Sequence, residues 1–470
     1  MTYRRRSPFR SQRDAALVTV CANSFQRSRR GARFVVVGAV AFALAFAAGA
    51  EARAADCSVS GYAIAAGSRV QALLEAGGLA ANGRWPDARA GYLWVLARFP
   101  DDPEALAGLA RVDAWGGCWA LAEKEYASVL QAHPEDADVR AGYADLLMWR
   151  GRSVEAERVL AAGLSLDATA PPLLAREARF ASWRGDAAQA VRLGDAAERG
   201  SPDDDEIRST RDHFFMGEGR ATAHVDYYSP PSRYQSVYSF ALQALQRVGR
   251  FELSAGAQLV DREGGPSGAR PAHDVRYPID VVYHPATGWT VGAEVAPAYP
   301  AAAVPEIGLR GFLIAPLFGP FDASLSYDFW HFANRTDVHL FNPGVGISLP
   351  HELRLDLRAW IAVVTSPPDA NGVRRTEPAG AGGAQLTWSV TSRIDLALSA
   401  AYGRELDAAT IQVNMLGYLG PSAQLVADWL VRRHFGLRGS VGLQWLQPDS
   451  PPGAPSFTIA SFEVGGYGRW

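Results

Sequence analysis

The chain has 470 residues, 48% of them hydrophobic, and a formal net charge of −3, which suits a folded protein of two domains or more. Beyond the first 33 residues there is no basic stripe, so nucleic acid is excluded as a partner by the absence of an electrostatic footprint. Three cysteines, none at metal-ligand spacing, give no metal centre, and no pattern calls for a cofactor.

Residues 1–54 read as a signal peptide. Arg4 to Arg6, Arg27, Arg29, Arg30 and Arg33 precede an alanine-rich apolar run, 34–50, that ends in Ala48-Gly49-Ala50 and Ala52-Arg53-Ala54, with cleavage expected after Ala54. The run is short for a membrane anchor, and Ser28-Arg29-Arg30 is followed by residues that fit a twin-arginine signal poorly, so general secretion is expected. The long basic region leaves open a start codon downstream of Met1. Removal of Cys21 leaves Cys57 and Cys118, an even pair and a candidate disulfide in an oxidising compartment.

The next domain, 55–216, carries a repeat over 69–204. Trp115, Trp149 and Trp183 are 34 residues apart, and each is followed two positions later by glycine: Gly117, Gly151 and Gly185. Ala88, Ala122, Ala156 and Ala190 share the register, as do Pro100, Pro134 and Pro202. A 34-residue period with small residues at helix crossings and proline at repeat ends resembles the tetratricopeptide repeat, here about four copies and a closing helix. The tryptophans read as packing between hairpins, and the groove such a stack forms implies a protein partner.

From 217 to 470 the periodicity changes to two. In LRLDLRAWIAV, Leu353, Leu355, Leu357, Ala359, Ile361 and Val363 oppose Arg354, Asp356, Arg358 and Trp360. Fourteen such segments are read: 220–229, 234–247, 250–261, 273–284, 288–298, 305–316, 320–332, 337–349, 352–364, 375–388, 392–404, 409–431, 436–447 and 456–470. A soluble sandwich alternates in the same way. Long strands, aromatics at strand ends and the export signal favour an antiparallel transmembrane β-barrel of the outer membrane, following a periplasmic α-helical solenoid. Gly417 and Gly420-Pro421 interrupt the twelfth segment; a turn there would make the count twelve or sixteen.

The final residues, EVGGYGRW, resemble the terminal strand signal read by the barrel-assembly machinery, with Gly468 where an apolar residue is usual. Signal peptide, 34-residue Trp-x-Gly repeats and a barrel together resemble the YaiO family of outer-membrane proteins. The outer-membrane exporters of cellulose and poly-N-acetylglucosamine share that plan on a larger scale. The resemblance implies an envelope role connected with exopolysaccharide.

An enzyme is not expected. Trp330-His331-Phe332-Ala333-Asn334 is similar to the His-x-Ser-Asn of lipid A deacylases, but Ala333 replaces the nucleophilic serine, so a lipid-modifying activity loses its hydroxyl. The polar parity places Asp322, Asp328, Arg354, Asp356 and Arg358 in the lumen, with Trp330 and Trp360 near its outer end. Aromatics beside hydrogen-bonding charges suit a sugar, while charges of both signs also suit a plug, and a one-residue bulge would turn the tryptophans to the lipid. Two functions follow: a barrel that binds or conducts a glycan, with repeats that hold a periplasmic or inner-membrane partner, and a scaffold anchored by its barrel among outer-membrane lipids.

Overall fold

The computed structural model describes residues 57, 60–65, 67–230, 236–263, 271–286, 288–318, 320–349, 352–368, 372–403, 418–448 and 456–470. The signal segment 1–54 lies outside the described residues. Two compact units result, one helical and one of strands.

Among the described residues, four helical hairpins and a closing helix make the first unit. They are α1 (Arg69–Ala81) with α2 (Trp85–Leu96), α3 (Pro103–Trp115) with α4 (Trp119–Ala132), α5 (Ala137–Trp149) with α6 (Ser153–Leu166), α7 (Pro171–Trp183) with α8 (Ala187–Gly200), and then α9 (Asp205–Arg211). Each hairpin turns on a left-handed glycine: Gly83, Gly117, Gly151 and Gly185 have φ of 73°, 82°, 72° and 83°. A side chain in that conformation costs roughly 1–2 kcal/mol, which is why the repeat keeps glycine there. Ala88, Ala122, Ala156 and Ala190 are buried where the paired helices cross. Trp115 and Trp149 pack on the apolar clusters of the first two hairpins and their neighbours, and Pro100 and Pro134 lie in the turns between hairpins.

Three hairpins and the closing helix are entered through a side-chain cap. Ser68, Asp102, Asp136 and Asp204 accept from the backbone N–H of Gln71, Ala105, Val139 and Ile207 respectively, at the spacing of the repeat. Arg176 on α7 donates to Asp145 on α5 at 3.1 Å and to Glu206 on α9 at 2.7 Å, tying successive repeats together. Cys57 and Cys118 are bridged, with Cα atoms 5.7 Å apart; Cys118 is the residue from which α4 starts.

The second unit is a single closed antiparallel sheet. Its strands are β1 (Gly217–Tyr228), β2 (Val237–Val248), β3 (Phe251–Arg262), β4 (Ala272–Arg276), β5 (Ile279–Tyr283), β6 (Thr290–Pro297), β7 (Ile307–Pro316) and β8 (Phe321–His331). It continues with β9 (Asp337–Leu349), β10 (Leu353–Thr365), β11 (Thr376–Thr391), β12 (Ile394–Gly403), β13 (Tyr418–Arg432), β14 (Phe435–Pro448) and β15 (Phe457–Arg469). The span read as 273–284 is β4 and β5, parted at Tyr277-Pro278 because proline has no N–H for the ladder. Both halves pair with β3 in one register, Gln258 opposite Arg276 and Ala255 opposite Ile279, so the segments form fourteen spans. β13 begins at Tyr418, and residues 409–417 lie outside the described residues. Gly420-Pro421 continues that strand without a turn; a Cβ on Gly420 would strike the Trp445 carbonyl. Pairing of β1 with β15, from Glu218 opposite Arg469 to Tyr228 opposite Ile459, closes the barrel.

Outward positions carry exposed bulky apolar residues, among them Leu242, Leu259, Leu325, Leu398, Leu443 and Phe462, the pattern of a lipid-facing belt. Aromatics mark both ends: Phe251 stacks on Tyr283 at 4.8 Å near the end that holds both barrel termini, and Tyr227, Tyr238 and Tyr402 are exposed near the other. Turns at the first end are short, 249–250, 392–393 and 433–434, whereas the opposite end carries 263–271, 298–306 and 366–375.

Within the repeats, Arg89 donates to both carboxylate oxygens of Asp113, at 2.8 and 3.1 Å, and Glu125 lies beside that pair. Burial, then the Asp113 charge, pushes Glu125 up to about 8. Between the ordinary glutamate value and about 8 the folded chain holds a proton that the unfolded chain has lost, so stability falls as pH rises through that window. Glu125→Gln should therefore match the wild type at pH 5 and be more stable by roughly 1–2 kcal/mol at pH 8. Thermal melting of the helical circular dichroism signal at the two pH values checks it.

Candidate functional site: the barrel lumen

A connected set of charges lines the lumen wall from β3 to β10. Along β3 to β8, Arg276 pairs with Glu294, Arg310 donates to Asp328 at 2.5 Å and approaches Glu294 at 3.9 Å, and Ser254 donates to Asp280 at 2.7 Å. Asn342 on β9 donates to Asp328 at 3.0 Å and to Ser326 at 2.9 Å. Arg354 on β10 reaches across β9 to Asp322 on β8, at 2.7 and 2.9 Å, and also binds Asp356 at 2.8 Å. Asp322 and Asp328 are each 1% exposed, so these carboxylates depend on their protein partners for what water would otherwise supply. Gly346 sits in register between Asp322 and Asp356, and a Cβ there would strike the Arg354 guanidinium and the Asp322 carboxylate.

The lumen residues named from sequence separate into two groups. Asp328, Arg354 and Asp356 are consumed in these wall-bound pairs, as is Asp322. Arg358 is not: Gly344 and Gly383 flank it in register, and among the described residues it joins no ion pair. Both tryptophans are on the inward parity; β8 pairs with β7 and β9 without a bulge, so Trp330 is not turned to the lipid. Trp330 is 8% exposed, enclosed by Phe332, Val338, Leu340, Ala362, Val364 and Ala379. Trp360 lies at the edge of that cluster and stays partly exposed.

The other wall is mostly small, and its charge is confined to one inward group on β13 to β15, where Arg438 pairs with Glu463 at 3.3 Å and approaches Asp428 at 3.6 Å. Inward positions of β11 to β15 include Gln385, Thr387, Ser399, Ser422, Gln424, Ser440 and Ser461, interspersed with Ala381, Gly383, Ala397, Ala401 and Gly442. Gln385 donates to Thr387 and Gln424 to Ser440, each at 3.2 Å, and Gln424 Oε1 is buried without a partner among the described residues. A wall of amides and hydroxyls with spare hydrogen-bonding capacity suits a polyhydroxylated guest.

At the end away from the barrel termini the lumen narrows. A second apolar cluster joins Tyr228, Val237, Val260, Leu446, Phe457 and Ile459 to Ala298 and Val304 of the loop 298–306, which folds inward. Asp274 holds that loop, accepting from the backbone N–H of Ala302, Ala303 and Val304 at 2.8, 2.5 and 2.8 Å. Neither Asp274 nor the loop was singled out by sequence reasoning; the run Ala301-Ala302-Ala303-Val304 is the signal, since an apolar loop tip has to find cover. At the same end of the barrel, His331 Nδ1 lies 2.6 Å from Asp337, and Ala333 stands where an acyl-transfer site would need a hydroxyl.

A tetratricopeptide repeat family model matches residues 117–179. No curated protein matches the chain. Among solved structures, the CymD monoaromatic hydrocarbon channel is 9% identical, with a TM-score of 0.40 over 56% of this chain and 91% of that one. A bacterial polysaccharide outer membrane secretin is 10% identical, with a TM-score of 0.34 over 55% and 99%. A thermophilic TPR protein of Thermus thermophilus is 21% identical, with a TM-score of 0.29 over 31% and 81%.

The crossing of Arg354 over Gly346 can be tested against a glycine that faces outward. Gly346→Ala should displace the guanidinium, leave Asp322 underpaired and cost about 2–4 kcal/mol, whereas Gly311→Ala, where a Cβ meets nothing within 4 Å, should cost nothing measurable. The temperature at which the barrel loses its folded mobility on a semi-native gel reads the difference.

Proposed function

We propose that the chain is an outer-membrane barrel whose lumen takes an envelope glycan and whose repeats hold a protein partner in the periplasm, as the resemblance to the YaiO family implies. The observation that carries this reading is the run of inward amides and hydroxyls on β11 to β14, Gln385, Thr387, Ser399, Ser422, Gln424 and Ser440, in the same lumen as the partly exposed Trp360 and Arg358, which joins no ion pair among the described residues. Hydroxyls of a sugar would meet the amides, its apolar face would lie on the indole, and an acidic substituent would meet the guanidinium. The ion pairs of the opposite wall satisfy one another, so they frame the passage and leave the guest to the other side.

Orientation follows from loop length, because outer-membrane barrels keep short turns in the periplasm and longer loops outside. The short turns here are at the end of the barrel termini, which supports periplasmic repeats and an external rim at the end where β3 passes to β4, β6 to β7 and β10 to β11. A 34-residue helical repeat is ordinarily a protein-binding scaffold, which supports a delivering partner over chemistry in that unit. No catalytic role is assigned to the lumen or the rim.

One observation favours the scaffold reading: the inward loop 298–306 and the two apolar clusters occupy part of the lumen at its outer end. Single-channel recordings of the purified protein decide between them. The glycan reading expects current that soluble acidic or neutral oligosaccharides block, with blockade weakened about tenfold by Trp360→Ala, roughly the loss of one stacking ring. Trp330→Ala, whose ring is enclosed, should lower stability more than it alters blockade. A closed, sugar-insensitive wild type leaves the scaffold.

A further inference from the structure

We infer that the outer face of β8 to β11 at the external rim is a binding site for the phosphorylated headgroup of an outer-leaflet glycolipid. This rests on the orientation proposed above. Ascending the outward parity, Leu325 and Pro343 give way to Tyr327 and Phe341, with ring centroids 5.0 Å apart, then to Phe329 and His339, 5.1 Å apart. Above them come His331 and Asp337, and at the rim Arg335, Arg374 and Arg375. Apolar belt, aromatic band, imidazole and guanidinium thus follow one another along a single strip, as the environment of a lipid changes from acyl chain to anionic headgroup.

The strip is built so that its cations are available. Its acid, Asp337, is engaged on both oxygens, by His331 at 2.6 Å and by Arg374 at 2.7 Å, and so does not repel an incoming anion. Arg374 also donates to the carbonyls of Arg335 and Ser366, at 2.6 and 3.1 Å, which fixes the guanidinium between the two rim loops. The side chains of Arg335 and Arg375 are exposed and have no partner among the described residues. His339 uses Nδ1 toward the Tyr327 hydroxyl at 2.8 Å, and its Nε2 has no partner among the described residues. On the adjoining strands Thr365 and Thr376, 3.3 Å apart, add hydroxyls at the level of Asp337. Two guanidiniums without a partner among the described residues, beside a fixed one and with imidazoles and hydroxyls below, match a sugar carrying phosphate monoesters better than they match a zwitterionic phospholipid.

The test is lipid retention by the purified full chain in detergent micelles, read by native mass spectrometry. Lipid A, dephosphorylated lipid A, phosphatidylglycerol and phosphatidylethanolamine are offered separately. Lipid A should bind best, and the triple variant Arg335→Ser, Arg374→Ser, Arg375→Ser should weaken it at least tenfold, while Arg432→Ser at the opposite rim leaves it unchanged. Because the triple variant alters exposed residues, retained heat-modifiable mobility shows that its barrel still folds; Arg335→Ser with Arg375→Ser, which spares the bridging Arg374, should show a smaller loss in the same direction. Equal retention by wild type and both variants, or equal retention of dephosphorylated lipid A or phosphatidylglycerol, overturns the site. Labelling of Arg375→Cys in intact cells addresses orientation separately: an unreachable thiol overturns the outer-leaflet assignment whatever the micelles show.

Discussion

Closure of the sheet is the constraint on which everything else in the strand unit depends. A hydrocarbon solvent offers no hydrogen bonds, so an unpaired strand edge within it would leave a row of N–H and C=O groups unsatisfied at several kcal/mol each. The ladder between β1 and β15 removes that edge. Once closed, the period of two admits a single assignment of faces, and each inward residue meets only other inward residues. The Arg354 to Asp322 bridge exists for this reason: its partners are two strands apart, and a glycine on the strand between them lets the guanidinium pass.

Much of this was legible because both units repeat. The strand 337–349 was read to the residue, and the left-handed glycines at 117, 151 and 185 were found from spacing alone. What periodicity cannot convey is which long-range neighbour a side chain finds. Parity placed Trp330 inward, but its enclosure depends on Phe332 and Val338, which come together only when the turn beyond β8 folds back. Parity likewise gave Asp328 and Arg354 as lumen charges without revealing that each has its counter-ion within the wall. Arg358 differs from them because its register neighbours are glycines, a property of pairing that the strand itself does not encode.

Other features are written in the sequence as regularly. Ser68, Asp102, Asp136 and Asp204 form a capping series as regular as the tryptophans. The series is broken at Ala170, which has no side-chain acceptor, and there α7 opens on Pro171-Pro172, two residues with no N–H to cap. Tyr277-Pro278 interrupts a span without changing its register, because a missing N–H deletes a ladder bond and leaves the alternation of faces intact. Proline inside a strand therefore marks a lost bond here and not a turn, at 278 as at 421.

The bridge between Cys57 and Cys118 acts on the way the helical stack comes apart. In a quasi-one-dimensional array each hairpin is held by its neighbours, and a terminal hairpin with a neighbour on one side only is the first to fray. The covalent tie runs from ahead of α1 to the start of α4, past the whole of the first hairpin, so α1 and α2 are enclosed in a loop anchored on the second. Peeling from that end would have to open two hairpins at once. The array is thereby given a direction, with its N-terminal end resistant to tension and to proteases that attack frayed termini.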